Sequence, residues 1–259
     1  MTSLQGKIAF VSGAASGIGR TTSIEMARCG ATLALTDLNE AGASETIAMI
    51  KEIAPDADPL FVRSNLSDEA EVGKLFAQIR DRFGRLDIAA NIAGVSGRRD
   101  GPVSSPIINY EAADFDFVFA VNARGPWLCM REEMRLMVAQ KGGAILNLAS
   151  VAGKAGVAGS SIYSATKHAV LGMTKCIALE GAASGVRVNA ICPGVIATPM
   201  ADALVGTEGA AREALTAMHP LGRLGTPEEV AQAIIWLCSD EASFITGAAL
   251  DVDGGYLVP

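Results

Sequence analysis

Several residue types and patterns are scarce in this 259-residue chain, and each scarcity removes a class of function. Histidine occurs twice, at His168 and His219, in no metal-ligand spacing, so no metal site is expected. No Cys-x-x-Cys pair occurs. The five cysteines (Cys29, Cys129, Cys176, Cys192 and Cys238) are scattered and odd in number, which argues against a disulfide framework or zinc site and favours a reducing compartment. No apolar run approaches the roughly 18 residues of a membrane span. The stretch from Met1 to Gly6 is short and polar, unlike a secretory leader. The expectation is a cytoplasmic protein with no membrane partner. Positive charge is also in the minority, 21 Lys and Arg against 28 Asp and Glu, for a net charge of −7. A general nucleic-acid binder needs a basic face, so that role is disfavoured.

What is present is apolar. Hydrophobic residues make up 50% of the chain and charged residues 19%, enough to bury a large core. Short apolar runs alternate with longer amphipathic stretches. Strands are expected at Lys7–Val11, Thr32–Thr36, Leu60–Arg63, Asp87–Asn91, Ala144–Ala149, Val186–Cys192 and Ala248–Val252. Helices are expected at Ile18–Cys29, Glu40–Ile53, Asp68–Phe83, Ala113–Ala139, Ser161–Gly181 and Pro227–Leu237, the last capped by Thr226 with proline at its first position. Near-continuous apolar strands alternating with helices imply a parallel sheet covered on both faces. Right-handed crossovers then give a single-domain, Rossmann-type, doubly wound α/β fold of seven strands. Two segments break the rhythm, Val95–Ala112 and Gly194–Gly225. Both follow strands, so both are expected as loops at the carboxyl edge, where such folds bind ligands.

Directly after the first strand runs Ser12-Gly13-Ala14-Ala15-Ser16-Gly17-Ile18-Gly19. Glycines spaced GxxxGxG permit a tight turn and let backbone approach a pyrophosphate, with the next helix pointing its N–H groups at the phosphates. A plain glycine-rich strand-to-helix turn would look similar. The position in the first βα unit, ahead of an acidic residue at the end of the second strand, favours the phosphate reading. That residue is Asp37. Its carboxylate can accept hydrogen bonds from both hydroxyls of an adenine ribose and repels a 2′-phosphate; the alternative is a turn or cap aspartate before Glu40. The neighbouring positions Ser16 and Leu38 are not basic, and Arg20 is expected to face away, so NAD is the expected cofactor.

Tyr163 and Lys167 stand four apart in an expected helix, on one face. A phenol titrates near ~10 and is a poor base at neutral pH. A nearby ammonium favours the phenolate, so the pair can exchange a proton with an alcohol or carbonyl oxygen. A surface pair on an amphipathic helix would show the same spacing. Ser150, expected at the end of the fifth strand, can hydrogen-bond a reacting oxygen. Asn122 interrupts an apolar helix, where a buried amide demands partners, and Asn91-Ile92-Ala93-Gly94 ends the fourth strand.

Together these residues resemble the short-chain dehydrogenase/reductase family in its single-domain branch. The resemblance runs through the glycine loop, Asp87, Asn91–Gly94, Asn122, Ser150…Tyr163…Lys167, Pro193-Gly194 and Asp251-Val252-Asp253-Gly254-Gly255. It implies Tyr163 as general acid/base, Lys167 as the group that lowers its pKa and binds nicotinamide-ribose hydroxyls, and Ser150 as polariser of the substrate oxygen. The Asn122 backbone carbonyl would hold a relay water. The implied cofactor contacts are Gly13, Ser16, Gly17, Ile18 and Gly19, Asp37 and Leu38, Asn65 and Leu66 beside the adenine, Asn91, Ala93 and Gly94, Tyr163 and Lys167, and Pro193, Gly194, Ile196 and Thr198. No metal is implied. Three departures from the family pattern are Ser12 for threonine, Ile92 for the second asparagine, and Asn65 for aspartate.

The function implied is an NAD-dependent interconversion of a secondary alcohol and a ketone. Two alternatives stay open: an NADPH-dependent ketoacyl-type reductase and a non-catalytic dinucleotide sensor. The substrate pocket is expected to use Val151, Val157, Ile162, Val195, Met200, Leu204 and Met218, favouring an apolar small molecule, with Arg98 and Arg99 as anion contacts or solvated charges. The family also implies a homotetramer built on the two long helices and the C-terminal segment.

Overall fold

The computed structural model describes residues 2–97 and 104–258; Arg98 and Arg99 lie outside them. Seven strands, β1 (Ile8–Ser12), β2 (Thr32–Asp37), β3 (Leu60–Arg63), β4 (Ile88–Asn91), β5 (Gly143–Leu148), β6 (Val186–Pro193) and β7 (Ala249–Val252), form one parallel sheet in the order β3-β2-β1-β4-β5-β6-β7. The expected doubly wound sheet is therefore present. Its order reverses between β1 and β4, so their diverging crossovers open a crevice at the carboxyl ends.

The described helices are α1 (Gly17–Arg28), α2 (Glu40–Ile53), α3 (Glu69–Phe83), α4 (Ala112–Phe119), α5 (Gly125–Gln140), α6 (Ser161–Ala182), α7 (Pro199–Val205), α8 (Ala210–Ala217) and α9 (Pro227–Cys238). Strand side chains alternate between faces, and β1 shows the consequence. Ala9 and Val11 pack with α1, α2 and α9 on one face, while Phe10 packs with α3, α5 and α6 on the other. Local chemistry sets the helix ends. The Asp68 carboxylate accepts the Ala70 and Glu71 amides at 2.8 and 3.1 Å. Thr226 and Glu229 form a capping box ahead of Pro227, as the sequence implies.

Two expectations need correction. The single helix expected over Ala113–Ala139 is α4 and α5 separated by a π-helical turn at Ala120–Arg124. Pro126 has no N–H to offer the Asn122 carbonyl, so the α-helical ladder cannot run through this point. Gly194–Gly225 is not simply a loop: it carries α7, opened by Thr198 and Pro199, and α8. Val95–Ala112 holds a 3₁₀ turn at Ile107–Asn109. Among the described residues no helix is long and apolar enough to cross a membrane.

Candidate active site

A cavity of about 600 Å³ opens at the carboxyl edge of the sheet, along the crevice that the strand order creates. At one end the glycine loop makes its wall. A Cβ on Gly13, whose φ is +72°, would lie 2.9 Å from the Ala93 Cα; one on Gly19 would lie 2.0 Å from the Gly13 carbonyl oxygen. Backbone can close up in this way only where side chains are absent. Ser12 Oγ accepts the Ile92 and Ala93 amides at 3.0 and 3.2 Å, pinning the loop after β4 to the loop after β1. Serine thus supplies the hydroxyl this position needs. Gly17, Ile18 and Gly19 open α1 into the cavity, with their N–H groups in the first turn.

Asp37 lines the same end, beside Leu38. Its Oδ2 accepts the Ala15 amide at 3.0 Å and its Oδ1 accepts the Asn39 amide at 2.9 Å, which holds the carboxylate at the rim. Arg20 turns away, bonded to the Ala15 carbonyl at 2.6 Å and to Glu45 at 2.7 Å. Among the described residues, Lys167 is the one cation lining the cavity. Asn65 and Leu66 border the region beyond Asp37. The glycine cradle, the exposed helix start and the rim carboxylate are shaped for a pyrophosphate and an adjoining diol.

The other end carries acid–base groups. Ser150 lies just beyond β5 rather than within it, and caps a 3₁₀ turn by accepting the Ala152 amide at 3.1 Å. Its hydroxyl lines the cavity beside the Tyr163 phenol and favours the phenol's ionisation. Lys167 is buried, and its Nζ donates to the Leu148 carbonyl at 2.7 Å, 5.5 Å from the centre of the Tyr163 ring. Burial pushes this ammonium down to about 8. The phenol departs from expectation: burial raises it, the Ser150 hydroxyl opposes that, and Lys167 is not among the groups acting on it here. The Lys167 amine and the Tyr163 phenol nonetheless line the same cavity.

Asn122 sits in the π-helical turn, buried, with Nδ2 donating to the Val95 carbonyl at 2.7 Å and Oδ1 accepting the Val95 amide at 2.8 Å. It braces the cavity wall from behind rather than lining it. Asn91 is the other expected site residue outside the lining: its amide points into the core, towards Glu133 and Asn147. The remaining expected residues, Ser16, Ala93, Gly94, Pro193, Gly194, Ile196 and Thr198 among them, do border the cavity. So do Val151, Val157, Val195, Met200 and Leu204, whereas Ile162 and Met218 do not. Phe117, Val121, Leu215 and Tyr256 complete the apolar end; Leu215 falls in the expected 194–225 segment, whereas Phe117, Val121 and Tyr256 lie outside the segments expected there. Phe117 and Val121 share a helical face at i, i+4, a signal that the sequence does contain; nothing near Tyr256 announces its position. No cluster of three or more His, Cys, Asp or Glu suited to a metal occurs among the described residues.

Comparison with known proteins defines the class first. A family model described as enoyl-(acyl carrier protein) reductase matches residues 13–257. The 3-oxoacyl-(acyl-carrier-protein) reductase of Thermotoga maritima is 36% identical over 98% of this chain and 99% of its own. The cis-4-hydroxycyclohexanecarboxylate dehydrogenase of Sinomonas cyclohexanicum is 39% identical over 96% of each. The crystal structure of a levodione reductase superposes with a TM-score of 0.92 at 35% identity, covering 97% of each chain. All are oxidoreductases by name. The chain belongs to the short-chain dehydrogenase/reductase family, whose members bind a nicotinamide dinucleotide.

Proposed function

We propose that this oxidoreductase uses NAD to interconvert a secondary alcohol and a ketone on an uncharged, largely apolar small molecule. The observation that carries the reading is that Tyr163, Ser150 and Lys167 meet in the cavity whose far end is rimmed by Asp37 and holds no basic partner among the described residues. A nicotinamide dinucleotide, when bound, would supply the hydride chemistry at the carbinol carbon. The chain's own groups handle the proton. Tyr163 as phenolate takes it from the alcohol, or as phenol gives it to the forming alkoxide. Ser150 shares the charge on that oxygen. Lys167 would reach the ribose of a bound cofactor, and Asn122 holds the wall against which both work. The glycine cradle would receive the pyrophosphate, Asp37 the adenine ribose, Asn65 and Leu66 the base, and Ile196 and Thr198 the carboxamide.

The apolar end, with Phe117, Val157, Met200 and Leu204, suits a carbocycle. Two relatives carry a six-membered ring in their names, the cyclohexanecarboxylate dehydrogenase and a 2,5-dichloro-2,5-cyclohexadiene-1,4-diol dehydrogenase. Spectrophotometric reduction of NAD⁺ across a panel of cyclic and acyclic secondary alcohols tests the reading; no turnover on any would sink it. The similarity to a 3-oxoacyl reductase supports a second reading, NADPH-dependent reduction of a ketoacyl group, which the same assay run in reverse with both cofactors distinguishes. We also assign the chain to the cytoplasm, in keeping with its five free cysteines, and to a homotetramer. Phe115, Trp127 and Leu179 leave apolar surface exposed on α4, α5 and α6.

A further inference from the structure

Behind the cavity wall, between β4, β5 and α5, lies a polar cluster that the chemistry above does not use. Glu133 of α5 is 0% exposed. Its Oε2 accepts from Asn91 Nδ2 at 3.1 Å, and the same Nδ2 donates to Asn147 Oδ1 at 3.0 Å. Asn147 Nδ2 in turn donates to Thr174 Oγ1 at 2.9 Å and approaches the Met130 sulfur at 3.2 Å. The groups facing Glu133 from β4, β5 and α6 are thus all uncharged. On its own helix, Cys129 is buried with its thiol pushed well up, chiefly by burial, and Glu132 is taken up by Arg131 and Arg135. Among the described residues no cation balances Glu133. Burial moves it to about 8, against the pull of the Asn91 hydrogen bond.

Two oxygens in this cluster have no donor: Oε1 of Glu133 and Oδ1 of Asn91. They belong to side chains already joined through their other atoms. A protonated carboxyl owns one O–H donor. A single proton on Oε1 therefore supplies the donor that Asn91 Oδ1 lacks and removes the buried charge at once. An ionised Glu133 would leave both oxygens unpartnered in a dry interior, where each unmade bond and the unpaired charge are unfavourable.

We propose that Glu133 is a neutral carboxylic acid locked to Asn91 in a reciprocal pair, Oε1–H donating to Asn91 Oδ1 and Asn91 Nδ2 donating to Oε2, and that this pair positions the carboxyl end of β4. Asn91 is the last residue of β4. Ile92, Ala93 and Gly94 follow it directly and wall the cavity. Glu133 is accordingly a positioning residue that acts through Asn91 on the loop that Ser12 grips from the other side.

Infrared spectroscopy of the whole protein, with ¹³C-labelled glutamate, tests the proton without any variant. At pH 7 a protonated-carboxyl C=O band is expected from one buried glutamate, and it should vanish in Glu133→Gln. No such band in the wild type overturns the proposal. Glutamine keeps the pairing, an amide N–H replacing the acid O–H, so Glu133→Gln should match or exceed the wild-type Tm at pH 7. The sign of the pH effect follows. The folded acid titrates above an ordinary glutamate's 4.5, so wild-type stability falls as pH rises from about 4.5 to about 8 and is flat beyond. The Tm advantage of Glu133→Gln should widen across that window; a constant difference overturns the proposal. Glu133→Leu strands the Asn91 amide and should lower Tm. It should also weaken NADH binding several-fold in a fluorescence titration, an arm that rests on the dinucleotide reading above. Unchanged NADH affinity in Glu133→Leu, with the acid band present in the wild type, overturns the positioning role alone.

Discussion

The Lys167 ammonium lies 5.5 Å from the centre of the Tyr163 ring and is tethered to the Leu148 carbonyl at 2.7 Å. The tether holds the charge beside the phenol without a direct bond between them, at the point where β5 ends and α6 begins its buried face. Burial disfavours a charge on either group. Burial lowers the Lys167 ammonium and raises the Tyr163 phenol, so Lys167 is the first of the two to lose its proton.

Alcohol oxidation should report that loss. The member of the pair with the lower value is Lys167, at about 8. kcat/KM for oxidation should rise with pH across that region, as a neutral Lys167 becomes able to take up the proton that the alcohol passes to Tyr163. Reduction should show the opposite slope. A steady-state pH profile checks both, and a flat oxidative profile from pH 6 to 10 would contradict the assignment.

Tyr163→Phe keeps the ring and deletes the exchangeable proton. kcat should drop on the order of 10²–10⁴, while NADH binding by fluorescence stays close to wild type. Near-normal turnover with cofactor bound would show that another group moves the proton.

Asp37→Ser removes the rim carboxylate and, with it, the acceptor for the Ala15 amide. Hydrogen bonds to a charged group contribute about 1.5–3 kcal/mol each. KM for NAD should therefore rise on the order of ten- to a hundredfold, and the preference over NADP should narrow because the repulsion is gone. Kinetics with the two cofactors measure the ratio; a ratio that does not move would count against the ribose role.

Thr226→Ala should destabilise the protein by about 1 kcal/mol, the usual effect of losing a helix N-cap, read as a lower denaturant midpoint. Glu229 shares that cap, accepting the Thr226 amide at 2.8 Å and pairing with Arg223, and the two together hold its carboxyl near 2. Its folded value is depressed, so this contribution is complete above an ordinary 4.5 and is lost as pH falls towards 2. Glu229→Gln should flatten that acid limb.

Light scattering at micromolar concentration should return four times the protomer mass. Trp127→Glu on the exposed face of α5 should shift it to a smaller species, because a buried charge without a partner opposes association. A monomeric wild type would remove the tetramer assignment.

Local sequence determined a large part of this protein. Strand and helix alternation, the glycine turn, the Asp37 rim and the Tyr163–Lys167 face all follow from side-chain periodicity and from turn and cap residues within a few positions of each other. Those effects act along the chain and need no distant partner. The tertiary structure decided the rest. Asn91 ends a strand at the cofactor loop, yet its amide turns inward because Glu133, 42 residues on, meets it in the core. The π-helical turn at Asn122 combines a local cause, Pro126, with a remote one, the Val95 backbone that pairs with the Asn122 amide. Segment 194–225 folds into α7 and α8 over the cavity, and His219 beyond them accepts the Val195 amide at 3.0 Å and packs 5.3 Å from the Tyr256 ring. That contact brings the C-terminal tail to the substrate end. Such placements depend on which buried polar groups find partners across the sheet, and pairing of that kind is settled only when the layers close.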